Sequence, residues 1–392
     1  MNCFRLSIPL FCIFGSIFGA PLFAAEPYVH EIEVKTVPGV KKDVLLPPGP
    51  GNPRNSEGDF IELQDGRVLF IYTHFTGGGD DHATAHLAQR VSADGGRSWT
   101  DQDEVVVPNE GGFNVMSVSL LRLQNGDIAL FYMIKNSLED CRPVMRVSRD
   151  EAKTWSEPVG IIPDEDIGYH VLNNDRVVQL ASGRLIVPVA LHNRPSYPEP
   201  DWSGVLLCYV SDDDGRTWQR STSALKGSHA DGTRILLQEP GVVELRDGRL
   251  WMWARTNEGY QYQSWSTDGG DTWSEMVATT IRSPRSPASI ERLPGRDELV
   301  MVWNDHAQFE LGADPGSYPG RTPLALALSD DEGKTWQEVW ILEDDPNGWY
   351  CYTAIDFVDD RVLLGHCAGE RAKGGLNVTQ ITSFGIDWLV KR

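Results

Sequence analysis

The sequence predicts an all-β chain organised as a six-bladed β-propeller, and three observations carry that expectation. An eight-residue motif recurs five times at intervals of 55 to 63 residues. A polar turn leading into an apolar strand recurs six times along the same stretch. Long helical periodicity is absent, and no linker-like segment marks a second domain. Recurrence at this period indicates stacked supersecondary units rather than separate domains.

The motif reads Ser92-Ala-Asp94-Gly-Gly96-Arg-Ser-Trp99 in its first copy. It returns from Ser148 to Trp155, Ser211 to Trp218, Ser266 to Trp273 and Ser329 to Trp336. The aspartate accepts hydrogen bonds from turn N–H groups. The glycine two positions on suits a left-handed backbone. The tryptophan buries a large ring beneath the turn. The second copy has Ala152 where the others have glycine, so that turn is expected to be strained or slightly different.

The turn-plus-strand units begin at Asp65-Gly66, Asn125-Gly126, Ser182-Gly183, Asp247-Gly248, Arg296-Asp297 and Asp359-Asp360. Each reads as a hairpin. Six hairpins against five motifs imply a last blade without the motif. The early segment His30 to Val37 is expected to supply the strand that closes the ring.

Residues 1–25 read as a secretory signal, with a basic start at Arg5, an apolar run from Leu6 to Phe18 and small residues before Ala25. Residues 26–392 are then one domain, exported and monomeric. No later segment is apolar enough to span a membrane. The net charge of −21 argues against nucleic acid, which needs a basic face. An acidic substrate would need a local basic pocket. Cys3 and Cys12 leave with the signal. Cys141, Cys208, Cys351 and Cys367 have no zinc-site spacing and read best as small buried hydrophobes, with Cys351 and Cys367 a conceivable pair. No metal or cofactor is expected.

The eight-residue motif is the Asp-box, and with five copies the chain resembles the sialidase superfamily. In that family the box is a structural turn on the outer rim, so its aspartates are given no catalytic part. The segment Gln238-Glu239 through Arg255 resembles the family's strand–turn–strand with a catalytic glutamate and a substrate-binding arginine. The resemblance places Glu239 and Arg255 there. The segment around Tyr350-Cys351-Tyr352 resembles the one carrying the tyrosine nucleophile, with Tyr352 in register and Tyr350 the fallback. Arg321 falls where the family places another binding arginine. The run Gly77-Gly-Gly-Asp80-Asp81-His82 precedes the first box, where the family has a general acid. Counting back from Ser92 favours Asp80 and leaves Asp81 and His82 as candidates. Its three glycines suggest a mobile lid. The chain departs from the family at the first arginine: Arg54 is the one arginine nearby, and the expected Ile-Pro is missing. Glu57 and Asp59 beside it point toward a different sugar.

What the resemblance implies is a retaining exo-sialidase. Clustered arginines hold the carboxylate at the anomeric carbon through charge-assisted hydrogen bonds. That carboxylate would repel a carboxylate nucleophile, so a neutral tyrosine activated by a base takes its place. Two other readings stand beside it. One is an enzyme on the same scaffold acting on another acidic sugar, by hydrolysis or as a lyase, with His74, His82, His170 or His192 as acid or base. The other is a non-catalytic glycan-binding propeller, since fold alone does not license a function.

Overall fold

The computed structural model describes residues 28–308 and 320–390. The secretory signal, with Cys3 and Cys12, lies outside the described residues. Strand dominates, and the longest helix among the described residues, Ile386–Val390, has five residues. None of these helices is long and apolar enough to cross a membrane.

The strands form antiparallel sheets in simple sequential order. The first sheet contains Arg54–Glu62, Val68–Phe75, Ala85–Ser92 and Glu104–Val107. The next starts at Asn114–Arg122 and joins its neighbour, built around Leu185–Asn193, through a parallel bridge between Cys141 and Tyr169. Two more four-stranded sheets start at Gln238–Glu244 and Ser289–Arg292. The last sheet runs Gly348–Val358, Arg361–Glu370, Thr379–Gly385 and finally Lys41–Leu46. A strand from the start of the chain therefore completes the sheet at its end, which locks the architecture shut.

The first strands of these sheets meet around a common centre. Arg54–Glu62 packs against Asn114–Arg122 on one side and Gly348–Val358 on the other. Gly348–Val358 also packs on Ser289–Arg292, which packs on Gln238–Glu244. The fold is a β-propeller. Its hydrophobic clusters lie between neighbouring sheets, as where Leu69 and Ile71 of the first sheet meet Leu130 and Tyr132 of the next. That explains the unbroken apolar run Val68-Leu-Phe-Ile-Tyr72: a middle strand covered on both faces has no need to alternate.

The closing strand differs from expectation. His30–Val37 is not a strand, and Lys41–Leu46 closes the sheet instead. The N–H groups of Glu31, Glu33 and Lys35 donate to the carboxylates of Glu370, Asp345 and Glu343. Side chains thus take the hydrogen bonds that a sheet ladder would otherwise have taken.

The same hydrogen-bonded turn recurs at every copy of the eight-residue motif. In the first, Gly96 N donates to Ser92 Oγ at 2.8 Å and Ser98 N donates to Asp94 Oδ1 at 2.8 Å. In the second, Ala152 N donates to Ser148 Oγ at 2.9 Å, with φ of 59°. Alanine therefore keeps the turn and adopts the left-handed geometry, at a cost of about 1–2 kcal/mol. The hydroxyl of Ser98 and the turn N–H groups hold Asp94 low, at about 2.

Four first strands share one irregularity. In each, two residues oppose one on the neighbouring strand, inside the stretches Ser56 to Asp59, Met116 to Ser119, Gln238 to Gly241, and Cys351 to Ala354. The residue inside each bulge has positive φ: Glu57, Ser117, Glu239 and Tyr352 at 56°, 60°, 51° and 55°. Bulges re-aim side chains and break the ladder. Side chains at the centre satisfy the backbone groups so released. Asn174 Nδ2 donates to Gly58 O and Tyr352 O. Asp59 accepts from Leu120 N, and Asp175 accepts from Ile355 N. Gly58 is the second residue of one bulge, where a Cβ would sit 2.4 Å from the Phe70 ring.

A further carboxylate, the half-buried Asp356 on Gly348–Val358, leaves a pH signature. Burial raises Asp356 from 3.8 to about 7, offset only in part by the N–H of Phe357. The folded state then holds a proton that the unfolded state releases. This stability is fully present below about pH 4 and is lost as pH rises through about 7. Asp356→Asn keeps an acceptor without the charge. Its melting temperature should fall less than that of wild type between pH 5 and pH 8, whereas parallel curves would contradict the assignment.

Candidate active site

The bulges set the site. Glu57, Ser117, Glu239 and Tyr352 all line one cavity of about 300 Å³, reached by the ends of several sheets. A left-handed residue inside a strand costs on the order of 1–3 kcal/mol and persists only where its surroundings fix it. Here the strain turns four side chains toward one space.

Tyr352 donates its hydroxyl to Glu239 Oε1 at 3.1 Å. Arg255 Nη1 lies 2.8 Å from Glu239 Oε2 and 3.4 Å from the Tyr352 hydroxyl. Gln238 Oε1 accepts from Arg255 Nη2 at 2.6 Å, which holds the guanidinium in place. The pairing follows from register: Gln238 stands directly opposite Arg255. Burial and the Glu239 charge raise the Tyr352 phenol above its ordinary range, against the pull of Arg321 and Arg255. The phenol is therefore neutral in the free protein, with a carboxylate on its proton.

Arg321 is buried and packs behind the couple, its guanidinium 5.0 Å from the Tyr352 ring centre and 5.3 Å from that of Trp349. Its Nε and Nη1 have no hydrogen-bond partner. Buried donors are rarely left so. Arg54 is also buried, but it is engaged: Nη2 lies 3.2 Å from Glu57 Oε1 and Nη1 2.6 Å from Asp81 Oδ1. The missing Ile-Pro thus does not remove Arg54 from the site region. What differs is that Glu57 and Asp81 both lie against it, with burial pushing the Glu57 carboxyl up to about 7 against the pull of Arg54.

Of the two adjacent aspartates, the structure places Asp81 at the cavity. The Asp80 carboxylate is turned back on its own loop and accepts from His82 N at 2.9 Å. Burial raises Asp81, but Arg54 together with Lys135 outweighs it and holds the carboxyl below the usual range. The glycine-rich loop expected as a mobile lid is tied down here. Its Asp81 carbonyl accepts from Lys135 Nζ at 2.7 Å and Asn114 Nδ2 at 3.0 Å. His82 lies outside the cavity lining and packs at 5.4 Å against Phe113. Tyr350 faces the core with Leu324 and Leu326.

The other candidate histidines divide. His192 lines the cavity beside Trp202 and is lowered to about 4 by burial, so it is neutral. His170 is buried and also lowered to about 4. His74 stacks on His86 at 4.5 Å, near Asp103. Asp59, expected near the funnel, is buried beneath the bulges as a backbone acceptor. The cysteines Cys141, Cys208, Cys351 and Cys367 are buried free thiols. Among the described residues, no cluster of His, Cys, Asp and Glu is arranged to hold a metal.

Sequence reasoning missed Ser117, Lys135, Trp202 and Arg285, which also line the cavity. One signal was available for Ser117: like Glu57 and Glu239, it stands nine residues before the glycine of its hairpin turn, at Gly126, Gly66 and Gly248. Lys135 ends an apolar strand, and Trp202 and Arg285 sit on irregular segments that carry no such spacing.

Residues 75–363 match the model of the BNR repeat-like domain. The chain belongs to this family, within the sialidase superfamily. It is 25% identical over 328 residues to a sialidase of Micromonospora viridifaciens, across 76% of this chain and 46% of that protein. A sialidase of Bacteroides fragilis is 24% identical over 56% of this chain and 38% of its own length. The chain thus spans less than half the length of these relatives. In structure it is similar to the NanB sialidase of Streptococcus pneumoniae, with a TM-score of 0.68, 15% identity, and coverage of 88% of this chain and 71% of that one. It is also similar to a protein of unknown function from Dyadobacter fermentans, with a TM-score of 0.69, 17% identity, and coverage of 89% and 100%.

The buried pair Glu239–Arg255 gives a direct test of the electrostatics. Glu239→Gln leaves a buried guanidinium uncompensated and should destabilise by about 3 kcal/mol. Adding Arg255→Gln should restore part of that loss in urea unfolding, whereas strictly additive losses would contradict the pairing.

Proposed function

We propose that the chain is a retaining exo-α-sialidase-like glycoside hydrolase on a six-bladed propeller, releasing a terminal sialic acid from glycoconjugates. The observation that carries this reading is the hydrogen bond from the Tyr352 hydroxyl to Glu239, beside Arg255. A glycan-binding module has no need to place a base on a buried phenol. The sialidases among its relatives and structural neighbours support the same reading.

In this mechanism the substrate carboxylate lies against Arg255 and Arg321, with Arg54 behind Asp81. The Tyr352 oxygen attacks the anomeric carbon as Glu239 takes the phenolic proton. Asp81 protonates the departing glycosidic oxygen. In the second half, Asp81 removes a proton from water, the water oxygen attacks the anomeric carbon, and Glu239 returns its proton to the tyrosine. A free phenol has a pKa near ~10, so the base is needed at neutral pH. The negative charge of the arriving substrate raises Asp81 toward the range in which it holds a proton. No cofactor enters these steps. The protein works after export, as a monomer.

A second reading rests on one specific observation. Glu57 sits in the cavity and neutralises Arg54, which favours an acidic sugar other than sialic acid on the same scaffold.

The test is hydrolysis of 4-methylumbelliferyl α-sialoside. Tyr352→Phe should lower kcat/KM about 1000-fold or more. Asp81→Asn should lose about 100-fold or more on a natural sialyl-lactose and much less on the activated substrate, whose leaving group needs no proton. Full activity of Tyr352→Phe would overturn the mechanism. No turnover of any α-sialoside by folded wild type would favour the second reading.

A further inference from the structure

The cavity holds a guanidinium for which the mechanism has no use. Arg285 lines it at the tip of Ser283-Pro284-Arg285-Ser286-Pro287, on the connection between Val277–Arg282 and Ser289–Arg292. That connection is fixed. Ser286 N donates to Pro284 O at 2.7 Å, closing a tight turn around Arg285. The fully buried Gln261 donates through Nε2 to Ser283 Oγ and to Ser286 O, both at 2.8 Å. Two prolines restrict what freedom remains. The arginine is exposed, and among the described residues no carboxylate forms an ion pair with it.

Its neighbours give this side of the cavity an excess of positive charge. Partial burial, then the like charges of Arg255 and Arg321, weaken the hold of Arg285 on its proton. Glu239 offsets this in part, but it is already paired with Arg255. Arg321 has two unpartnered buried nitrogens. Two guanidiniums with unused donors thus share one region, while Arg54 has its charge answered by Glu57 and Asp81. Repulsion of this kind is relieved by an anion.

Resting on the sialidase-like reading above, we propose that Arg285 is a further substrate-binding residue, a fourth guanidinium that grips the substrate carboxylate together with Arg255 and Arg321. It takes over the share that Glu57 and Asp81 withdraw from Arg54. The ligand class it fits is a sugar whose anomeric carbon bears a carboxylate.

The test uses Arg285→Gln and Arg285→Lys of the full chain, with melting temperatures checked against wild type. For 4-methylumbelliferyl α-sialoside, Arg285→Gln should raise KM about 10- to 100-fold with kcat within about threefold. Arg285→Lys, which keeps charge without the fork, should fall between. Calorimetry with 2-deoxy-2,3-dehydro-N-acetylneuraminic acid should show the same loss. Its methyl ester, which lacks the carboxylate charge, should bind wild type and Arg285→Gln alike. Wild-type KM and acid affinity in Arg285→Gln would overturn the role of Arg285 and leave the sialidase reading standing. Equal losses for acid and ester would overturn carboxylate recognition in favour of a purely steric role. A wild type that neither hydrolyses the sialoside nor binds the acid would overturn both readings together.

Discussion

The structure depends on a repeated break in the strands nearest its centre. A regular strand would send successive side chains to opposite faces, into the packing between sheets. One extra residue in each of four first strands turns a side chain out of that pattern and into the cavity. The geometry is costly, because the residue takes a left-handed backbone and its neighbours leave the ladder. Asn174, Asp59 and Asp175 meet those released groups from below. The buried carboxylates at the centre are therefore part of the scaffold that holds the bulges, and their protonation belongs to stability rather than to chemistry.

The electrostatics of the site follow from the same placement. A chain of net charge −21 has assembled Arg255, Arg285 and Lys135 around one cavity, with Arg321 behind the Tyr352 ring. Within it, charges divide by partner. Arg255 is bound to the Tyr352–Glu239 couple, Arg54 to Glu57 and Asp81, and Lys135 to the backbone of the glycine-rich loop. Arg321 and Arg285 are the two with donors to spare. The carboxylates of Glu57, Asp81 and Glu239 line the same cavity, so the spare donors of Arg321 and Arg285 are the part of the site left open to an anion.

Much of this was legible in the residues. The hydroxyl, aspartate, glycine and tryptophan of the repeated turn announce its hydrogen bonds, and the apolar runs after the polar turns announce middle strands. The Glu239 and Arg255 pairing was readable because both flank one short hairpin. Tyr352 could be placed beside them only by resemblance, since more than one hundred residues separate it from Glu239. The closing strand was misplaced because His30–Val37 has strand-like alternation, while its N–H groups go to distant carboxylates. Asp80 and Asp81 could not be separated by counting, because loop geometry decides which carboxylate meets Arg54. Arg285 escaped because its position is fixed by Gln261, a contact between irregular segments that leaves no periodic trace.

The central claim is that the bulge at Tyr352 presents a neutral phenol to a reacting anomeric carbon with Glu239 as its base. Mass spectrometry after incubation with a 2,3-difluorinated sialic acid tests it most directly. The account predicts a single covalent adduct, mapped by peptide digestion to Tyr352 and strongly slowed in Glu239→Gln. An adduct on any other residue, or turnover of sialosides with no adduct on Tyr352, would contradict it.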